Sequence, residues 1–146
     1  MFNAINKVGI NVNGSVDAKL IRMAEVVLTR AEAQFNLGLE ADALATLDEL
    51  RAVRYMANAP TGETGQALED AIQLERRIEL AFESHRFFDI KRRGESVMRS
   101  TFGDLVDGTG TPADVQILPA GDFRFQYPIP LAEINNNPNF EQNPGY

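Results

Sequence analysis

These 146 residues contain no cysteine, no tryptophan and one histidine, His85. Without cysteine there can be no disulfide framework, zinc–thiolate site or thiol nucleophile. A single histidine rules out the HExxH zinc site and the paired Glu-x-x-His di-iron pattern, so neither a metal nor a cofactor is expected. The lack of tryptophan removes the largest flat ring on which a sugar could stack. No run of ~18 apolar residues could cross a bilayer, and the opening Met1-Phe-Asn-Ala-Ile-Asn6 has neither the basic nor the apolar region of a signal peptide. Lys and Arg number 14 against 21 Asp and Glu, for a net charge of −7. That balance disfavours nucleic acid and anionic membrane surfaces. The glycine-containing stretches Gly62-Glu-Thr-Gly65 and Gly108-Thr-Gly110 lack the strand and lysine that a phosphate loop requires.

What remains is the composition of a folded domain, 44% hydrophobic and 24% charged, in a chain long enough for one domain with its own core. Val8 to Val12 alternates like a short strand. Ser15 is placed to cap a first helix running to about Leu37, with Asp17 at its positive end. Leu20, Ala24, Val27, Leu28, Ala31 and Phe35 give that helix one apolar face, and Gly38 fits a left-handed cap. A second helix is expected from Glu40 to Met56, with Ala43, Leu44, Leu47 and Leu50 inward. The short link favours an antiparallel pair, and Gly38, Ala43 and Leu47 have the spacing of one tetratricopeptide unit.

After a loop at Asn58–Gly65, a third helix is expected from about Gln66. Leu68, Ala71, Leu74, Ile78, Ala81, Phe82, His85 and Phe88 form its apolar face. It ends or bends between Ser84 and Phe88, with a last turn to Arg93 and Gly94 as cap. Beyond Arg99, Gly and Pro break regular structure. Arg124 to Pro130 reads as extended, and the tail from Glu133 to Tyr146 as irregular, with Phe140 and Tyr146 docking on the helices. The fold class is therefore all-α: a tetratricopeptide-like antiparallel helix pair, a third long helix and an irregular Pro/Gly/Asn-rich C-terminal part, in a single domain over 1–146.

The third helix carries the densest chemistry. Glu75, Glu79 and Glu83 lie four apart, and two of them could be read as a glycosidase pair. Arg76, Arg77 and Arg86 lie within a turn, however, and glycosidase carboxylates face each other across a cleft from separate segments. An ion-pair scaffold is the stronger reading. His85 is read as a packed histidine at a helix end rather than a base. Lys91, Arg92 and Arg93 sit where a helix's negative end favours cations. In the first helix Glu25 and Glu32 share a face, and at least one should meet an arginine of the third helix, or Arg51 or Arg54. Sugar stacking could draw on Tyr55, Phe87, Phe88, Phe102, Phe123, Phe125 or Tyr127, though packing is the commoner use of each.

Three segments resemble a known family in order and spacing. They are Arg22-Met-Ala-Glu-Val-Val-Leu-Thr-Arg-Ala-Glu-Ala33, then Glu75-Arg-Arg-Ile-Glu-Leu-Ala-Phe-Glu-Ser-His-Arg-Phe-Phe-Asp-Ile-Lys-Arg92, then Tyr127-Pro-Ile-Pro130 followed by Glu133-Ile134, Asn137-Pro-Asn139 and Gln142-Asn-Pro-Gly-Tyr146. The family is that of the SusD/RagB outer-membrane nutrient-binding lipoproteins. The resemblance implies a helical fold containing tetratricopeptide units, and a non-catalytic protein, lipid-anchored at the cell surface, that captures a glycan or peptide for a SusC-like TonB-dependent transporter. Family members are several times longer and begin with a lipidated cysteine, so the chain reads as a C-terminal fragment, and no ligand-binding residue is carried over. The motif residues Glu25, Glu32, Glu75, Arg76, Glu79, Glu83, His85, Arg86, Phe88 and Asp89 are read as architecture. Surface from Phe102 to Tyr127, if uncovered, invites self-association. A stand-alone tetratricopeptide-like protein-interaction domain is the alternative.

Overall fold

The computed structural model describes residues 21–56, 60–99, 103 and 110–146. The expected strand at Val8–Val12 and the cap at Ser15 lie outside these residues, as does much of the Phe102–Tyr127 stretch. The described residues form five α-helices, α1 (Met23–Asn36), α2 (Glu40–Arg54), α3 (Gly65–Glu79), α4 (Arg86–Arg93) and α5 (Leu131–Asn136), and two short strands, β1 (Val97–Met98) and β2 (Ile117–Leu118). The chain divides into two compact units, Met1–Ala81 and Phe82–Tyr146.

In the first unit, α1 and α2 form the helix pair and α3 packs chiefly on α1. Ala24, Leu28 and Ala31 of α1 meet Ala43, Leu47 and Leu50 of α2 and Leu68 and Ile72 of α3 in one buried cluster. Leu28, Leu47, Leu68 and Ile72 are wholly enclosed, and each such side chain contributes about 1.5–3 kcal/mol through burial. The turn between α1 and α2 is closed by Gly38 at φ +75°. Its N–H donates to Phe35 O and that of Leu39 to Gln34 O, both at 2.9 Å. Those two bonds satisfy carbonyls that the helix end would otherwise leave open, in the geometry of a Schellman cap.

Helix α1 begins at Met23. Arg22, the residue before its first turn, is extended (φ −135°, ψ 157°), and its guanidinium lies on Glu79. Helix α3 differs from expectation in two ways. Its buried residues are Leu68, Ile72, Glu75 and Arg76, while Leu74 and Ile78 are more than half exposed. Leu68 and Ala71 face the core as expected, but further along the helix the inward face is completed by paired ions, where apolar spacing points instead to Leu74 and Ile78. The helix also stops at Glu79 rather than between Ser84 and Phe88. Phe82 (φ 65°) and Ser84 (φ 64°) take the left-handed conformation, which a continuing right-handed helix excludes. Glu83 therefore lies in a turn and shares no helix face with Glu75 and Glu79.

The second unit has less regular structure. Helix α4 ends at Gly94 (φ 66°), with Lys91, Arg92 and Arg93 in its last turn. β1 and β2 pair antiparallel in the register Val97↔Leu118 and Met98↔Ile117. Phe123–Phe125 form a 3-10 turn, so Arg124 and Phe125 are not extended. Leu131–Asn136 are helical rather than irregular: Pro130 precedes the first helical residue at φ −54°, a place where the proline ring starts a helix instead of blocking it. The last five residues are tied down through three side chains. The Gln142 side chain accepts from Ile129 N–H at 2.8 Å and donates to Ile129 O at 3.0 Å, Asn143 Nδ2 donates to Tyr127 O at 2.7 Å, and Tyr146 Oη donates to Gln126 O at 2.9 Å. Tyr146 docks on the Phe123 ring (5.0 Å, 82°) and not on a helix as expected.

Candidate functional site

The carboxylates singled out in the sequence are already engaged. Arg51 of α2 is 3% exposed. Its Nε donates to Glu75 Oε1 at 3.1 Å, its two terminal nitrogens donate to Glu63 at 3.1 and 3.0 Å, and Nη1 also reaches Pro60 O at 2.7 Å. Tyr55 Oη gives Glu75 Oε1 a further bond at 2.8 Å. One guanidinium thus binds α2, α3 and the Pro60–Thr64 loop, using the planar fork that lysine lacks. Burial opposes the Arg51 charge, but hydrogen bonds and attraction from Glu63 and Glu75 raise its pKa above the ordinary arginine value. The hydrogen bond from Arg51 holds the Glu63 carboxyl below its usual range.

A second node lies one turn further along α3. Arg54 grips Glu79 with two bonds, Nε–Oε2 at 2.8 Å and Nη2–Oε1 at 2.9 Å. Arg22 adds Nη1–Oε1 at 2.7 Å and a bond to the Glu79 carbonyl. With Arg54 as the largest influence and Arg22 reinforcing it, the Glu79 pKa is lowered to about 2. At the third node Arg76 donates to Thr29 Oγ1 at 3.2 Å and lies 4.0 Å from Glu25. The arginine expected near the first-helix carboxylates thus comes from α3, while Arg51 and Arg54 pair with α3 instead. Glu32 is buried on the inward side of α1.

The remaining motif residues fall in the second unit. His85 is the residue preceding α4 and its carbonyl accepts Asp89 N–H at 3.0 Å. Asp89 is buried and paired with Arg92 at 3.0 Å. Arg86 approaches Glu95 at 3.6 Å, and Arg93 holds the same carboxylate at 2.6 Å. Phe87 is the centre of an aromatic cluster, stacked on Phe125 at 5.7 Å, edge-on to Phe88 at 5.7 Å and tilted against Tyr127 at 6.4 Å. Phe88 is 66% exposed and Tyr127 80%.

The motif is thus divided between the units: Glu25, Glu32, Glu75, Arg76 and Glu79 belong to the first, and Glu83, His85, Arg86, Phe88 and Asp89 to the second. The parts of the network that sequence spacing missed are Glu63, a lone acid in a loop, and Arg22, hidden inside an apparent helix. Chemically, carboxylates held by two or three donors are fixed acceptors. Glu79, with its pKa lowered, is a poor proton donor at neutral pH.

A model of the SusD family matches residues 5–146. The chain belongs to that family. The starch-binding protein SusD of Bacteroides thetaiotaomicron is 35% identical over 130 residues, which are 89% of this chain and 22% of that protein. Among solved structures, a putative sugar binding protein from Bacteroides vulgatus superposes with a TM-score of 0.71 at 32% identity, covering 87% of this chain and 28% of the other. A SusD superfamily protein from the same organism gives 0.72 at 29% identity, covering 91% and 29%. The chain spans about a quarter of the length of these relatives. The all-α, tetratricopeptide-like fold expected from the sequence is the fold of these SusD proteins.

Proposed function

We propose that this chain is part of a non-catalytic glycan-capture protein of the bacterial cell surface. It forms the C-terminal region of a longer, lipid-anchored outer-membrane parent, in which residues 1–146 act as a single domain. That parent binds an oligosaccharide and passes it to a SusC-like TonB-dependent transporter. The observation that carries this reading is the family match over residues 5–146, together with 35% identity to a starch-binding protein. A peptide is the other ligand class such a protein could take; the similarity to a starch-binding protein favours a glycan. The motif residues Glu25, Glu32, Glu75, Arg76, Glu79, Glu83, His85, Arg86, Phe88 and Asp89 serve as architecture in this proposal.

A binding role rather than catalysis is supported by the carboxylates themselves. Glu75 and Glu79 lie one turn apart on a single helix and each is held by arginine. A glycosidase needs an acid with a raised pKa facing its partner across the substrate, whereas Glu79 is shifted to about 2. Calorimetric titration of the chain with starch-derived and other oligosaccharides tests the proposal. Saturable heat without release of new reducing ends is expected. No heat with any glycan would overturn capture by this chain, and hydrolysis abolished in Glu79→Gln would make it an enzyme.

A further inference from the structure

The second unit contains an open hollow of about 420 Å³ between the end of α4, the turn around Phe123 and the tail at Pro144. That volume lies within the ~300–1,000 Å³ range of small-ligand sites. Its wall combines two kinds of surface. Phe123, 43% exposed, and Pro144 supply apolar area. Lys91, Glu95, Asp122 and Gln126 supply polar groups. The carboxylates are fixed in place: Glu95 is held by Arg93 and Arg86. Asp122 receives Arg124 Nε at 2.8 Å, its Nη2 at 2.9 Å and its backbone N–H at 2.9 Å. By contrast, the Lys91 ammonium and the Gln126 side-chain amide have no hydrogen-bond partner among the described residues.

From this arrangement we infer that the hollow is a subsite for one ring of a neutral oligosaccharide. The inference rests on the glycan reading of the family and adds the place and the residues. The charge pattern selects the ligand class. Arg86, Arg93 and Arg124 are already committed to carboxylates, leaving one ammonium for an anion that would also meet Glu95 and Asp122. A phosphorylated or acidic ligand is therefore disfavoured. A cation finds those carboxylates already neutralised. A neutral polyol suits what remains: each carboxylate retains lone pairs able to accept from hydroxyls, Lys91 donates, Gln126 does both, and Pro144 with the exposed part of the Phe123 ring, which also carries the Arg124 guanidinium 5.9 Å from its centroid, meets the sugar's C–H groups. Carboxylates held in position by arginine lose little freedom when a ligand arrives, which favours binding.

The test is a titration of the ¹⁵N-labelled chain with maltoheptaose and a panel of neutral oligosaccharides, followed by amide chemical shifts, in the wild type, Lys91→Ala, Gln126→Ala and the double variant. Both side chains are exposed, so folding is expected to survive, and unchanged spectra elsewhere verify it. Support consists of shifts concentrated at Gly94, Gly121 and the Gln126 side-chain amide, with affinity falling roughly threefold in each single variant and about tenfold in the double. Oligosaccharide binding with shifts elsewhere, and wild-type affinity in all three variants, sinks the subsite while leaving glycan capture standing. If no oligosaccharide perturbs any amide, both readings fall. If a mixed peptide library moves the hollow's amides and the sugars do not, the ligand class is overturned.

Discussion

The two units of this chain solve the same problem, holding polar groups inside a small fold, by different means. In Met1–Ala81 three helices satisfy their own backbones, and the polar groups to be accommodated are side chains. Arg51, Glu75 and Arg76 occupy positions on the inward faces of α2 and α3 that aliphatic residues would otherwise fill. In Phe82–Tyr146 helices are short and much of the backbone has no helical partner. There the side chains serve the backbone: Gln142, Asn143 and Tyr146 bind the main chain of residues 126–129, and Phe87 and Phe123 organise rings around them. Charge supplies specificity in the first unit, and side-chain amides together with aromatic contact supply it in the second.

The comparison breaks most readily at Arg51. Arg51→Ala strands Glu75, Glu63 and the Pro60 carbonyl around an empty site, and a loss of about 3–5 kcal/mol is expected from urea unfolding followed by circular dichroism. A loss below about 1 kcal/mol would reduce the network to the rank of a surface pair. Acid sharpens the same point. The Glu79 pKa falls from 4.5 to about 2 on folding. Its contribution is therefore complete above pH ~4.5 and lost as the pH falls towards 2. With solvent screening at half-exposed Arg54 taken into account, this amounts to about 1–3 kcal/mol. Thermal melts between pH 5 and 2 should show that loss in the wild type, and a flatter profile in Glu79→Gln.

The second unit should respond to a methyl group. A Cβ on Gly145, whose φ is +99°, would lie 2.5 Å from the Phe123 ring. Gly145→Ala should cost about 1–3 kcal/mol. Amide exchange should quicken at Ile129 and Asn143 but not at Ala43, and equal acceleration in both units would show that they are not separate in stability. The smallest effect has the opposite sign. Ser84 sits at φ 64°, so Ser84→Gly should raise stability by about 0.5–1 kcal/mol once glycine's greater freedom in the unfolded chain is subtracted. A lower melting temperature would mean that the serine side chain outweighs its backbone strain.

What could be read in advance follows the same division. Periodicity and the glycine caps located the C-terminal end of α1, the body of α2 and the end of α4, because a glycine cap and an apolar face are local properties. The inward face of α3 is legible at Leu68 and Ala71 but not in its second half, since the counting of apolar residues cannot see that Glu75 and Arg76 are buried through partners 24 and 51 positions away in Arg51 and Glu25. The break after Glu79 was missed for a related reason: Phe82 and Ser84 are not residues whose chemistry announces a left-handed backbone. The tail's pairing with residues 123–129 is non-local and depends on the direction of individual amides. The hollow near Phe123 left no trace in the sequence, because it is a shape and not a motif.

The two-way bond between the Gln142 amide and Ile129 has a consequence for the protein's chemical ageing. One –CONH₂ group accepts from the Ile129 N–H and donates to its carbonyl. Hydrolysis to glutamate keeps the acceptor, removes the donor and turns a negative oxygen toward a carbonyl oxygen. A single deamidation, a mass gain of about one dalton that leaves the fold's hydrophobic core untouched, should therefore unfasten the C-terminal strap. Mass spectrometry of aged samples, with limited proteolysis near residue 140, would register it.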